Sequence, residues 1–208
     1  MIHKLDYGCG DGSCSELTPD RKRYRNWLVE NGGFGTYGID IDPEKVEAAQ
    51  QRVPPMTRVI MADGHETPFP DNFFDEVHVA GVLHHMCNYE VAVNEIARIS
   101  KEKAKLYVLE TVDNDPIFRM GRRFIGNWRG DMVMCCFTSE KLFLALSRYF
   151  EIKSVRHYWR FYLSDILLYF RKEPQLSLTF NCWVNGILQK HGLDDKWASH
   201  VVIEAERK

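Results

Sequence analysis

Three glycines alternate with other residues near the start of the chain, in the run Leu-Asp-Tyr-Gly-Cys-Gly-Asp-Gly at 5–12. The residues before Gly8 can form a short buried strand, which we predict over Ile2–Tyr7. Glycine lets the backbone turn sharply and approach a ligand where a Cβ atom would clash. A helix after such a turn presents free N–H groups to a polar or anionic ligand. The run therefore predicts a ligand-binding loop, although glycines in a plain tight turn would show the same spacing.

The size and charge of the chain narrow the class of protein. With 208 residues and a net charge of −2, the chain can bury a full core as a single domain, and it lacks the basic excess of a general nucleic-acid binder. No apolar run approaches the roughly 18 residues of a membrane span. The six cysteines have no regular spacing and no secretory leader precedes them, so we expect reduced thiols in a soluble, cytoplasmic protein.

Two aspartates follow the second predicted strand, which covers residues 34–41. Asp42 precedes Pro43, and a side-chain acceptor before a proline is a strong helix start. We therefore expect Asp42 to cap a helix. Asp40 then remains at the carboxyl end of the strand, where open α/β sheets place ligand contacts, and it is free to hold a ribose diol.

Short strands alternate with helical patterns along the first half of the chain. Further strands are predicted over 57–61, 73–80 and 104–112. Helices are predicted over 20–31, from Pro43 onward, and along an apolar face formed by Tyr89, Ala92, Ile96 and Ile99. This alternation predicts βαβ units, a parallel sheet and right-handed crossovers.

Four motifs in this half resemble class I S-adenosylmethionine-dependent methyltransferases, in particular the branch that contains ubiquinone and menaquinone C-methyltransferases and many small-molecule methyltransferases. The motifs are the run at 5–12, Tyr-Gly-Ile-Asp-Ile-Asp at 37–42, Ala-Asp-Gly-His-Glu-Thr-Pro-Phe-Pro-Asp-Asn-Phe-Phe-Asp at 62–75, and Val-Leu-His-His at 82–85. The resemblance covers residues 4–112. It implies a Rossmann-like sheet of seven strands, six parallel and one antiparallel, with the seventh strand inserted between the fifth and sixth.

The resemblance also implies S-adenosylmethionine as the cofactor. Gly8 and Gly10 would pass under its methionine part, Asp40 would bind the ribose hydroxyls, and Asp63 with Gly64 would meet the adenine edge. The cofactor-binding residues that it implies are Asp6, Gly8, Cys9, Gly10, Asp40, Ile41, Asp63, Gly64 and Ala80. A dinucleotide site would instead have Gly-x-Gly-x-x-Gly for a pyrophosphate, whereas position 13 is Ser13.

The second half should hold the acceptor site. We predict a helix from Thr138, a sixth strand over 151–159 and a seventh over 198–206. Residues 113–137 and 160–197 are expected to form a cap over the strand ends, in place of the helices that often precede the first strand in relatives.

The composition of the two cap segments suggests which acceptor they would cover. Arginines and aromatic residues there favour an apolar acceptor with a carboxylate or phosphate, and Arg119, Arg123 and Trp128 are the substrate-binding candidates. Two alternatives stay open: a second small core with arginines on a solvated face, or helices that face a membrane surface or partner chain.

The catalytic candidates lie where the fourth and fifth strands end. Methyl transfer needs mainly positioning and exclusion of water, and it needs a base only if the acceptor is a hydroxyl or carbon acid. His84, His85 and Glu110 are the candidates, with His65 nearer the adenine side. Alternatively, His84 and His85 cap the next helix or pack against the cofactor.

We expect no metal site. His84, His85 and Cys87 are close in sequence and Cys135 is followed by Cys136, but neither group has the paired spacing of a zinc site. These spacings do not indicate zinc.

The sequence therefore predicts a single-domain α/β methyltransferase that acts on a small apolar or acid-bearing acceptor. The alternative functions are an inactive cofactor-binding subunit that serves a partner enzyme, and a nicotinamide-dependent oxidoreductase. The oligomeric state is left open.

Overall fold

The computed structural model describes residues 1–12, 27–116, 119–120, 137–159 and 174–208, with side chains of the last range described from 181 onward. Seven strands among these residues form one sheet, in the order β3-β2-β1-β4-β5-β7-β6. The strands are β1 Lys4–Tyr7, β2 Thr36–Asp40, β3 Arg58–Met61, β4 Phe74–Ala80, β5 Ser100–Thr111, β6 Phe150–Tyr158 and β7 His200–Arg207.

Parallel pairing brings the carboxyl ends of six strands to one edge of the sheet. β1 pairs in parallel with β2 and β4, β2 with β3, and β4 with β5. β7 runs antiparallel to both of its neighbours, β5 and β6, so β6 points the same way as β5. The predicted fold class is therefore confirmed, including the inserted antiparallel strand. The carboxyl ends of β1 to β6 therefore lie at the edge where open α/β sheets bind ligands.

Five helices occur among the described residues, and local sequence sets the start of two of them. They are α1 Trp27–Asn31, α2 Pro43–Arg52, α3 Tyr89–Ile99, α4 Ser139–Ser147 and α5 Pro174–Lys190. Asp42 caps α2 as predicted, since its Oδ1 accepts a hydrogen bond from the Glu44 N–H at 3.0 Å. Thr138 caps α4 through the Lys141 N–H at 3.4 Å. The helix predicted over 20–31 is described from Trp27 onward.

Three apolar clusters among the described residues lie against the sheet, and the two larger ones cover its two faces. The largest cluster includes Ile39 of β2, Ile96 of α3 and Leu142 of α4. The second joins Leu28 of α1 to α2. Gly38 lies next to Ile39 in β2, and a Cβ atom at Gly38 would overlap Leu28. Because successive residues of a strand face opposite ways, these two clusters lie on opposite faces of the sheet.

β5 begins at Ser100 and not at the predicted Ala104. Its first four residues, Ser-Lys-Glu-Lys, have no apolar alternation, so periodicity does not indicate a strand there. Long-range contacts define it instead: Ser100 pairs with Phe74, and the Lys101 ammonium lies 2.8 Å from a carboxylate oxygen of Asp75.

The prediction of reduced thiols is wrong at one position. Cys9 is a buried free thiol and Cys182 an exposed one. Cys87 is disulfide-bonded, and its partner lies outside the described residues.

Candidate active site

The glycine loop after β1 leaves open space where a side chain would stand. Gly8 and Gly10 both have left-handed backbone angles, with φ of 75° and 56°, which favour glycine. A Cβ atom at Gly8 would overlap the side chain of Val82. Among the described residues, no atom lies within 4 Å of the position that a Cβ atom at Gly10 would take. Gly8 therefore permits a close approach within the protein, whereas the space over Gly10 can receive a ligand.

Asp40 ties this loop to the end of β2. Its Oδ2 accepts a hydrogen bond from the Gly10 N–H at 2.8 Å, and its Oδ1 accepts one from the Asp42 N–H at 3.0 Å. A carboxylate has about four acceptor positions, so each oxygen can still accept another hydrogen bond. Ile41 follows Asp40 in the chain, and 68 % of its surface is exposed.

Carboxylates surround the glycine loop. Burial raises the pKa of Asp6 to about 7, and the nearby charge of Asp40 adds to this shift. Burial, with the charges of the same two carboxylates, raises the pKa of the Cys9 thiol well above its usual range. Asp11 forms a close ion pair with Arg52. The carboxylates among the described residues of this loop therefore suit a cationic ligand group better than the pyrophosphate of a dinucleotide.

The turn after β3 is held against β1 and β2. The Ala62 N–H donates to the Asp40 carbonyl at 3.0 Å, and the Tyr7 hydroxyl donates to the Gly64 carbonyl. A Cβ atom at Gly64 would overlap Tyr7 and Met86. The structure thus gives Gly64 a packing role inside the protein. Asp63 lies in the same turn, and 53 % of its side chain is exposed.

A buried carboxylate links β5 to the turn after β4. Glu110 is fully buried, and its Oε1 accepts the backbone N–H groups of Val82 at 2.8 Å and Leu83 at 2.7 Å. Its Oε2 lies 2.8 Å from Nδ1 of His84. The glutamate therefore fixes both the short 3-10 turn Leu83–His85 and the ring of the buried His84.

The remaining predicted residues of this edge lie close to that pair. His85 is exposed, and its ring centroid is 4.0 Å from that of His84. Ala80 is half-buried at the end of β4, and the next N–H, from Gly81, donates to the Leu109 carbonyl at 2.8 Å. Asn88 occupies the cap position of α3, and its side chain makes no capping hydrogen bond.

The substrate-binding candidates are only partly within the described residues. Arg119 is exposed, and its N–H donates to the Asp115 carbonyl at 2.9 Å. Arg123 and Trp128 lie outside the described residues, as do residues 160–173 of the predicted cap.

A polar network that sequence reasoning missed joins α5 to the strand ends. Asn185 accepts the Trp159 N–H at 2.7 Å and donates to the Trp159 carbonyl at 2.8 Å. The indole N–H of Trp159 donates to Oδ2 of the buried Asp115 at 2.8 Å. From residue 181 to the end of α5, the buried side chains are thus the polar ones of Asn181 and Asn185, while Trp183 is 63 % exposed. The apolar pattern of this helix does not indicate these contacts.

The described residues include neither a metal-binding cluster nor a membrane-spanning helix. They contain no cluster of three or more histidine, cysteine or acidic side chains that could hold a metal ion. None of their helices combines the length and apolar composition that crossing a membrane requires.

Together, the sheet order, the glycine loop and Asp40 define an open α/β domain with a candidate ligand site at the carboxyl edge of its sheet. The family described as "Methyltransferase domain" matches residues 5–108, which is half of the chain. The chain belongs to this family. The predicted resemblance to methyltransferases is therefore confirmed.

Two curated relatives carry specific names. The chain is 46% identical over 110 residues to a ubiquinone/menaquinone biosynthesis C-methyltransferase from Chromobacterium violaceum, covering 51% of this chain and 41% of the relative. It is 30% identical over 113 residues to a 2-methyl-6-phytyl-1,4-hydroquinone methyltransferase from Synechocystis sp., covering 53% of this chain and 32% of the relative. The chain therefore spans less than half the length of these relatives.

Solved structures share the whole fold at low identity. The MccD protein superimposes with a TM-score of 0.68 at 17% identity, covering 100% of this chain and 90% of that chain. An S-adenosylmethionine-dependent methyltransferase from Mesorhizobium loti gives 0.65 at 18% identity, covering 99% and 91%. One from Methanosarcina mazei gives 0.63 at 18% identity, covering 98% and 91%. These similarities extend the fold assignment beyond the matched half.

Proposed function

We propose that this chain transfers the methyl group of S-adenosylmethionine to a small apolar acceptor. Membership of the methyltransferase domain family supports the reaction class. The observation that carries the proposal is the open space over Gly10, beside an Asp40 carboxylate that can accept further hydrogen bonds. Other residues at this edge of the sheet suit the remaining parts of the cofactor.

Each part of the cofactor has a chemically suitable partner. The remaining acceptor positions of Asp40 suit the two hydroxyls of a ribose. The acidic surroundings of Asp6 suit the positive sulfur and the amino group of the methionine part. The exposed side chain of Ile41 offers an apolar surface to a base, and Asp63 offers an acceptor to the edge of that base. Gly8 and Cys9 complete the loop beneath it.

The chain's own residues would orient the acceptor, exclude water and remove a proton. When bound, S-adenosylmethionine supplies a methyl carbon that its positive sulfur activates. Because His84 Nδ1 faces the Glu110 carboxylate, the neutral ring carries its proton on Nδ1. Nε2 is then the basic nitrogen, which can take a proton from a hydroxyl or a carbon acid. Glu110 acts as a positioning residue, as a carboxylate does for histidine in other enzymes.

The choice of His84 over His85 follows from this pairing. A base is effective when one tautomer is fixed in advance, and the 2.8 Å contact with Glu110 does this for His84. His85 packs against His84 at the exposed side of the turn. In this proposal, His84 removes the proton, and His85 forms part of the wall of the acceptor pocket.

The acceptor class rests on the cap. The family match ends at residue 108, before the cap begins, so relatives do not identify the acceptor. The printed names of the two curated relatives refer to quinones and to a hydroquinone. These names support an acceptor with a small apolar ring. Arg119, Arg123 and Trp128 stay candidates for binding such an acceptor, or an acid group attached to it.

Thermal unfolding with added ligand tests the cofactor. A ligand at 100 times its dissociation constant stabilises the folded state by about 2.7 kcal/mol, which raises the melting temperature of a chain of this size by roughly 5–10 °C. We expect this shift with S-adenosylhomocysteine and no shift with NAD. A shift with NAD alone would contradict the proposal and favour an oxidoreductase.

Transfer of a labelled methyl group tests the reaction itself. We expect at least one acceptor in a panel of hydroquinones, phenols and aromatic acids to become labelled. The variant His84→Gln should lower this rate by about 10²-fold or more while binding S-adenosylhomocysteine normally. Full activity in this variant would remove His84 from the mechanism.

A further inference from the structure

His65 holds one oxygen of Asp63 in the turn after β3. The His65 backbone N–H lies 2.9 Å from Oδ1 of Asp63, and the ring Nδ1 lies 2.8 Å from the same oxygen. These two hydrogen bonds lower the pKa of Asp63 below its usual range, so this carboxyl is ionised at neutral pH. No third donor among the described residues reaches Asp63. Oδ2 is therefore open to a ligand.

The other ring nitrogen of His65 is also an acceptor. Because Nδ1 faces a carboxylate oxygen, it carries the proton of the neutral ring, and Nε2 carries a lone pair. Nε2 is buried and has no hydrogen-bond partner in the part of the chain that the structure describes. The turn thus combines an ionised oxygen with a ring nitrogen that lacks a proton, and both groups require a donor.

The register of the sheet relates this turn to Asp40. Asp40 of β2 pairs with Met61 of β3, and Asp63 follows two residues later. A strand advances about 3.3 Å per residue, so Asp63 lies within roughly 7 Å of Asp40 along the strand direction. This separation is within the span of one nucleoside. A ligand whose ribose binds Asp40 can therefore present its base to Asp63.

We infer that His65 is a positioning residue that holds Asp63 ready to accept a hydrogen bond from the exocyclic amine of a purine, so that the site selects a 6-aminopurine over a 6-oxopurine. The inference rests on the proposed function. An ionised oxygen attracts the N–H of an amino group, whereas the carbonyl oxygen of hypoxanthine at the same place leaves the carboxylate unpaired. Such an unpaired group is what gives a site its selectivity.

Calorimetric titration with two ligands tests this inference without an acceptor. The ligands are S-adenosylhomocysteine and S-inosylhomocysteine, which differ in the base alone. We expect the wild-type chain to prefer the adenine compound by roughly 30-fold. His65→Ala keeps the backbone donor but loses Nδ1, so the preference should fall to about threefold. His65→Asn keeps an N–H donor near the position of Nδ1 and should restore most of the preference.

The remaining outcomes separate the inference from the proposed function. His191→Ala, an exposed histidine after α5, is the control and should keep the full preference. An unchanged preference in His65→Ala overturns the inference while the proposed function stands. A wild-type chain that binds neither compound overturns the proposed function itself. A folded His65→Asn that behaves like His65→Ala also overturns the inference, because the Nδ1 contact is then not what matters.

Discussion

Replacing Glu110 with glutamine tests whether this residue sets the tautomer of His84. Glu110 is fully buried and accepts three N–H donors, from Val82, Leu83 and His84 Nδ1, at 2.7–2.8 Å. Glutamine has the same size and keeps one carbonyl oxygen for the two backbone donors. Its NH₂ group then faces His84 Nδ1, and a donor at that place requires the ring proton to move to Nε2. The basic nitrogen would be lost.

The size of the effect follows from the three hydrogen bonds. A bond to a charged acceptor contributes about 1.5–3 kcal/mol and a neutral one about 0.5–1.5 kcal/mol. A loss of about 1 kcal/mol per bond gives a decrease of roughly 3 kcal/mol in the free energy of unfolding. The melting temperature should fall by about 6–12 °C. Binding of S-adenosylhomocysteine should change little, because the contacts of Gly10 and Asp40 do not involve Glu110.

Nitrogen-15 NMR of the histidine rings measures the tautomer directly. In the wild-type chain we expect the proton of His84 on Nδ1, and in Glu110→Gln we expect it on Nε2. Methyl transfer should fall by about 10²–10⁴-fold. The control is Glu95→Gln, because Glu95 is also buried and accepts two hydrogen bonds from Thr67. The Glu95→Gln variant should be less stable than the wild-type chain, but the ring proton of His84 should stay on Nδ1. An unchanged tautomer in Glu110→Gln would refute the reasoning.

Three further predictions concern other parts of the chain. Gly10→Ala should weaken S-adenosylhomocysteine binding at least about tenfold in calorimetry, because the new methyl group fills the space over Gly10. Gly192 also has a left-handed backbone, with no described atom near its Cβ position. The control Gly192→Ala should therefore lose only about 1 kcal/mol of stability. The raised pKa of Asp6 means that its ionisation opposes folding, so stability falls as pH rises from about 4 toward 7. Asp6→Asn should therefore melt higher than wild type at pH 8, with an advantage that shrinks toward pH 5. Asn185→Ala should lower stability by about 1–3 kcal/mol and speed hydrogen exchange around Trp159, while S-adenosylhomocysteine binding stays unchanged.

Local patterns in the sequence were sufficient to predict most of the sheet and the position of the glycine loop beside Asp40. Apolar strands bounded by turn residues marked the seven strands, and the sequence Asp42-Pro43 marked a helix start that the structure confirms. The glycine loop and Asp40 could be placed together because both follow strands whose carboxyl ends share an edge. In each case the signal lies within a few neighbouring residues.

Contacts between distant residues could not be predicted in this way. The bond between Glu110 and His84 joins residues 26 positions apart, and no pattern in either segment indicates the other. In the described part of α5, the buried side chains include those of Asn181 and Asn185, whereas the apolar Ile187 is exposed. Periodicity shows that a helix has two faces, whereas tertiary packing decides which face is covered.

Calorimetric titration of S-adenosylhomocysteine against two neighbouring variants tests the central claim most directly. The Asp40 side chain contacts the glycine loop, whereas the Asp42 side chain caps α2 and touches the loop through no hydrogen bond among the described residues. Asparagine caps helices as well as aspartate, so Asp42→Asn should bind within about threefold of the wild-type chain. Asp40→Asn replaces charged hydrogen bonds worth about 2 kcal/mol and should bind roughly 30-fold more weakly. A wild-type chain that does not bind the compound, or an Asp40→Asn variant that binds as tightly as Asp42→Asn, would contradict the account.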